Sequence, residues 1–107
     1  MADAKIMESP TFDADGYPTD ETLDAIRLWP WEKSKELFAF LQAAWKYPEC
    51  FNVKEDGLIE IATGGWSGNE SLIYALEENA LVHGFCWELS RRGGYYEYRL
   101  PELPREA

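Results

Sequence analysis

Leu58-Ile59-Glu60-Ile61-Ala62-Thr63-Gly64-Gly65-Trp66-Ser67-Gly68-Asn69-Glu70 reads as a strand that two glycines deliver into the start of a helix. Leu58 to Thr63 is rich in β-branched and apolar residues that alternate with others, the period of a strand with one buried face. Leu72, Ile73 and Leu76 then recur at helical spacing and give the following segment one buried stripe. Ser67 and Glu70 have the spacing of a capping box, in which each side chain bonds the other's free backbone N–H. The glycines supply positive φ or a close backbone approach. Working upstream, Phe51 to Lys54 and Leu58 to Thr63 flank Glu55-Asp56-Gly57, and Asp-Gly is a strong hairpin signal. Downstream, Asn79 fits a helix end, and Leu81 to Leu89 is rich in strand formers. Arg91-Arg92-Gly93-Gly94 reads as a turn into a last strand, Tyr95 to Leu100, before Pro101 and Pro104.

Two helices precede this block. Thr19 stands before Asp20 and Glu21, acids suited to a first helical turn, and Leu23, Ile26 and Trp29 lie three apart. The spacing predicts a helix over 20–28, ended by Pro30. Leu37, Phe38, Leu41, Ala44 and Trp45 make an apolar face that predicts a second helix over 31–46, stopped by Pro48. The expectation is therefore an α+β fold in the order α-α-β-β-α-β-β, with an antiparallel sheet and helices on one face. Residues 1–18 read as an N-terminal arm and residues 19–107 as a single domain.

Composition narrows the chemistry. The chain has 107 residues and a formal charge of −10. Residues 1–24 carry seven acids against one base, and residues 50–79 six against one. Such acidity keeps a small protein soluble and argues against direct nucleic-acid binding, which needs cations to displace counterions. It allows a protein partner with a basic surface, beside the plainer reading of a solvated acidic face, which charge runs usually are. No long apolar run predicts a membrane span, and the N-terminus lacks the apolar centre of a signal peptide. Cys50 and Cys86 are expected as free thiols, which fits a cytoplasmic setting.

Catalytic sets are poorly supported. Gly65-Trp66-Ser67-Gly68-Asn69 resembles a nucleophile elbow whose last glycine is replaced by Asn69. The one histidine, His83, falls in a segment read as strand, so Ser67 is expected to cap a helix rather than attack a substrate. One histidine and two distant cysteines do not make a zinc site, and no cofactor is expected. Asp13-x-Asp15-Gly16 lacks the later ligands of a calcium loop. The expectation is a protein without enzymatic activity.

Binding residues are better supported. Trp66, between glycines and a serine, is either a lid on the core or a contact anchor, since Trp and Arg dominate binding hot spots. Ser67, Asn69 and Glu70 share its loop, and Arg91, Arg92 and Tyr95 lie on the turn that leads into the last strand. Adjacent strand residues face opposite sides, so Tyr95 and Tyr96 cannot both be core. The acids Asp20, Glu21, Glu55 and Asp56, with Asp13, Asp15, Asp24, Glu60, Glu77 and Glu78, are candidates for an acidic recognition face.

Thr63-Gly64-Gly65-Trp66-Ser67-Gly68-Asn69-Glu70, Glu77-Glu78-Asn79 and Cys86-Trp87-x-x-Ser90-Arg91-Arg92-Gly93-Gly94-Tyr95-Tyr96 also carry a resemblance. With Glu55-Asp56-Gly57, Tyr17-Pro18-Thr19 and Trp29-Pro30, they resemble a family of small proteins encoded by bacteriophages and prophages. The resemblance spans roughly 80 residues, a reach that suits a whole domain. It implies an accessory protein acting in the bacterial host cytoplasm on a host or phage protein, and it transfers no catalytic residue. The leading expectation is an inhibitor of a bacterial defence system, of anti-CRISPR or anti-restriction type, whose acids mimic nucleic acid. The alternative is a small-ligand or nucleic-acid-binding module built on Gly64–Glu70 with Arg91 and Arg92.

Overall fold

The computed structural model describes residues 7–101. Helices α1 (Asp20–Arg27) and α2 (Ser34–Ala44) come first, α2 entered through a 3-10 turn at Trp31–Lys33. A hairpin follows, β1 (Phe51–Val53) and β2 (Leu58–Ala62), then α3 (Ser67–Glu78), α4 (Ala80–Cys86), β3 (Trp87–Arg91) and β4 (Tyr95–Arg99). The four strands form one antiparallel sheet in the order β1-β2-β4-β3. The expected α+β class, antiparallel sheet and chain order hold, with one helix more than expected.

Register decides which face is core. Ile59 lies opposite Tyr98, and Ile61 opposite both Tyr96 and Phe51. Ile59, Ile61, Phe51 and Tyr98 are buried together with Leu37, Phe38 and Leu41 of α2 and Leu72, Ile73 and Leu76 of α3. The Phe38 and Tyr98 rings stand 5.5 Å apart, as do those of Trp45 and Phe51. The helices therefore pack on this one face. The opposite face, with Glu60, Tyr95, Glu97 and Arg99, is only partly covered. Tyr95 and Tyr96 point to opposite faces, as alternation requires.

The arm is tied down over its described part. Phe12 bridges to Pro18, and the Asp13 carboxylate accepts from the backbone N–H of Asp15 and Tyr17. Those bonds use the aspartate to close a turn. The Thr11 N–H donates to the Thr22 hydroxyl at 2.8 Å, which fastens the arm to α1. Thr19 caps α1 by accepting from Thr22 N–H.

Two local expectations are corrected. Residues Leu81 to Leu89 do not form one strand: Ala80–Cys86 is helical and only Trp87 onward is sheet. Asn79 decides this. Its side-chain oxygen accepts from Val82 N–H and caps α4, while its amide donates to Ile26 and Trp29 carbonyls at 2.8 and 2.9 Å. Val82 and Cys86, four apart, then bury as one helical stripe. His83 accordingly sits on a helix, not mid-strand. The capping box is not formed either: Trp66 is the cap residue of α3 without a side-chain cap, and Ser67 is already in the helix. The Ser67 hydroxyl donates to Tyr17 Oη at 3.0 Å instead. Both cysteines are free thiols.

Candidate interaction site

The glycine-bracketed motif is a joint. Gly64 and Gly65 have φ of +66° and +79°, which turns β2 toward α3. A Cβ on Gly68 would lie 2.2 Å from the Trp66 ring, so Gly68 is the seat on which that ring folds back. Tyr17 stacks on Trp66 at 5.1 Å, and Lys46 Nζ lies 4.9 Å from the ring centre. Asn69 is fully buried. Its side-chain oxygen accepts from Lys46 N–H at 3.0 Å, and its amide donates to Lys46 and Thr63 carbonyls at 2.8 and 3.0 Å. Asn69 thus stitches the end of α2 to the end of β2, with both amide hydrogens and its oxygen bonded to backbone.

The other expected residues divide by position. Ser67 and Glu70 begin α3 near Asp20 and Glu21, because Tyr17 of the arm reaches both Trp66 and Ser67. Thr63 N–H donates to the Gly94 carbonyl at 2.9 Å, so the Arg91–Gly94 turn abuts the start of the loop. Arg91 is exposed over the Tyr95 ring at 5.9 Å, and Arg92 is exposed at the turn. Glu55 and Asp56 stand at the other end of β2, where Asp56 lies 3.6 Å from Arg99. The joint leaves an open groove of about 400 Å³ beside Trp66, lined by Phe12, Asp15, Lys46 and Trp45, which includes neither arginine. Ser67 and His83 are bonded elsewhere, to Tyr17 and to Tyr98 Oη.

What the fold does assemble is an acidic surface. α1 and α3 run side by side and parallel: Tyr17 meets Ser67 at their starts, and Arg27 meets Glu78 at their ends. α1 exposes Asp20, Glu21 and Asp24, while the outer arc of α3 carries Glu70, Tyr74, Glu77 and Glu78. Arg27 is the sole base on these two helices, and it is shared by Asp24 at 2.7 Å and Glu78 at 2.6 Å. Hydrogen bonding to Glu78, then to Asp24, raises its pKa above the ordinary arginine value despite some burial. Burial, then Glu77, Tyr74 and Glu70, push the half-buried Tyr96 hydroxyl up. The sequence lists these acids, but the adjacency of α1 and α3 is a product of tertiary packing.

The uncovered sheet face is electrically mixed. Glu60 stands directly opposite Glu97, a repulsive cross-strand pair. Lys54 approaches Glu60 at 3.6 Å, and Tyr95 Oη donates to Glu97 at 2.6 Å. That bond, with partial burial, pushes the Tyr95 pKa up to about 12 from 10.0. The folded chain therefore holds this proton more tightly than the unfolded chain. The stabilisation is complete below pH about 10 and is lost as pH rises through about 12. Burial pushes the Tyr96 and Tyr98 hydroxyls up as well, so the check is a difference: Glu97→Gln should move one late tyrosinate transition back toward the ordinary tyrosine value and leave those two in place.

An aromatic and aliphatic surface lies at the other flank, on α4 and the 3-10 turn. Leu28, Leu81, Phe85 and Trp87 are 71, 57, 58 and 45% exposed. Trp31 stacks on Phe85 at 4.9 Å, and His83 on Trp87 at 5.7 Å. Sequence reasoning missed this surface because it read the segment as a strand. The Asn79 cap and the Val82/Cys86 spacing were the signals available. Among the described residues no helix is long and apolar enough to cross a membrane, and no cluster of metal-ligating side chains is present. Comparison of the chain with protein-family models, with curated proteins and with solved structures found no match.

Proposed function

We propose that this protein is a non-catalytic, protein-binding protein whose α1–α3 surface engages a basic site on its partner. The observation that carries the reading is the acid array itself: six exposed or half-exposed carboxylates on two parallel helices, with Arg27 as the only base. Carboxylates arrayed in this way attract a cationic cleft over long range and match its charge on contact. The most concrete version is a phage-type inhibitor of a bacterial defence nuclease, acting in the host cytoplasm by occupying the nucleic-acid channel. The resemblance carried by Thr63–Glu70 and Ser90–Gly94 supports that setting. A ligand-binding role for the Gly64–Glu70 loop with Arg91 and Arg92 has less behind it, since Asn69 is committed to backbone and the groove at Trp66 excludes both arginines.

Capture from bacterial lysate, followed by mass spectrometry, names the partner. A chain with Asp20, Glu21, Asp24, Glu77 and Glu78 each replaced by Lys should lose it, and raised salt should release it from the unaltered chain. Capture that survives both treatments contradicts the proposal.

A further inference from the structure

Tyr74 is the residue of the α1–α3 surface that charge does not explain. It lies on the outer arc of α3 and is 57% exposed. At 100° per residue Glu70, Tyr74, Glu77 and Glu78 share one arc, with Glu70 one turn before the ring and Glu77 and Glu78 one turn after it. Glu78 is taken by Arg27, whereas Glu70 and Glu77 form no ion pair among the described residues. The other exposed tyrosines are already occupied: Tyr17 stacks on Trp66, and Lys46 Nζ lies 5.7 Å from the centre of the Tyr47 ring. The half-exposed Tyr95 has Arg91 at 5.9 Å. Tyr74 pairs with no ring and no cation among the described residues, although carboxylates stand on both sides of it.

We propose that Tyr74 anchors the acidic surface by taking an arginine side chain of the partner, stacked on its ring with Glu70 and Glu77 as the carboxylate acceptors. The inference rests on the acidic-surface reading and names which cation in the basic site is recognised. Charge complementarity selects a cation, because every charged residue of α3 within a turn of Tyr74 is an acid. The ring selects arginine among cations. A guanidinium is planar and weakly hydrated, and it stacks on an aromatic face while donating to carboxylates in fixed directions. A lysine ammonium is a strongly hydrated point charge that gives up more water to reach the ring. Arg27 shows this surface holding such a group: its guanidinium donates to Asp24 of α1 at 2.7 Å and to Glu78 of α3 at 2.6 Å. Tyrosine and arginine are also the residue types that carry most energy in protein interfaces.

Oligoarginine and oligolysine of equal length, titrated calorimetrically into the full chain at moderate salt, are the probes. The unaltered chain should bind oligoarginine roughly two- to fivefold more tightly than oligolysine. Tyr74→Phe keeps the ring and should keep that preference, whereas Tyr74→Ala should bring the two affinities together. Tyr74→Glu gives the sharpest contrast. It adds an acid, so a surface working by charge alone binds oligoarginine more tightly, whereas loss of the anchor removes the preference for arginine. Equal affinities for the two peptides, no binding of either, or a preference that Tyr74→Ala leaves intact overturns the proposal. Equal affinities for the unaltered chain leave the acidic-surface reading standing. Undiminished binding of both peptides by the chain with Asp20, Glu21, Asp24, Glu77 and Glu78 replaced by Lys overturns that reading and this inference with it.

Discussion

Asn69→Leu is expected to cost about 3 kcal/mol or more of folding stability, from the loss of one buried and two part-buried backbone bonds at about 1–3 kcal/mol each. Leucine keeps asparagine's branching at Cγ but has no polar atom, so the polar contacts vanish, and its bulkier methyls add some overpacking. The Lys46 N–H, the Lys46 carbonyl and the Thr63 carbonyl lose their partner together. Asn69 is fully buried, and water does not replace those bonds without opening the joint. For a domain whose total stability is about 5–15 kcal/mol, such a loss moves the urea midpoint sharply. The midpoint should fall with little change in the slope. A shift worth less than about 1 kcal/mol would show that the joint does not depend on this side chain.

Gly94→Ala is expected to cost about 2–3 kcal/mol, by two separable effects. Gly94 has φ of +80°, a conformation that strains any residue with a Cβ. The added methyl would also meet Thr63 Oγ1 at 2.3 Å and Thr63 Cβ at 3.3 Å. Thr63 cannot swing aside, because it is buried and its N–H holds the Gly94 carbonyl. Gly93→Ala is the matched comparison: φ is +86°, but nothing lies within 4 Å, so only the strain of about 1 kcal/mol applies. Equal midpoints for the two variants would contradict the close approach of the last hairpin to Thr63.

These two positions show that residues of a distinctive sequence motif have structural tasks. Gly64, Gly65, Gly68, Asn69 and Gly94 are each fixed by what they touch or by how the backbone turns. Several of these constraints are legible in the sequence. The Asp56-Gly57 hairpin forms, with Gly57 at φ +89°, and the alternation of Ile59 and Ile61 marks the core face. Asn69 stands three and four residues ahead of Leu72 and Ile73, which places it on the buried stripe of α3 and signals a polar group with an internal task. Its partners, 6 and 23 residues away, are set by tertiary packing and are not legible locally.

The α4 segment shows the limit from the other side. Val82, Phe85 and Trp87 favour strands when taken one at a time, and local preference alone gives the wrong element. The helix is fixed by Asn79 gripping Ile26 and Trp29 some fifty residues earlier. Periodicity holds the competing signal, in Val82 and Cys86, but over only seven residues. The candidate surfaces follow the same division. The acids are visible in the sequence, yet Asp20 and Glu21 join Glu70, Glu77 and Glu78 only because α1 and α3 lie parallel. Glu55 and Asp56, equally acidic, are left at the far hairpin with Arg99.

Electrostatic engagement through α1 and α3 is most directly tested by the affinity of the captured partner as a function of salt. The logarithm of the association constant, plotted against the logarithm of salt concentration, should fall steeply for the unaltered chain. The same plot should flatten, at much lower affinity, when Asp20, Glu21, Asp24, Glu77 and Glu78 are replaced by Lys. A flat plot for the unaltered chain, or equal affinity for the reversed one, would contradict an acidic surface as the means of binding.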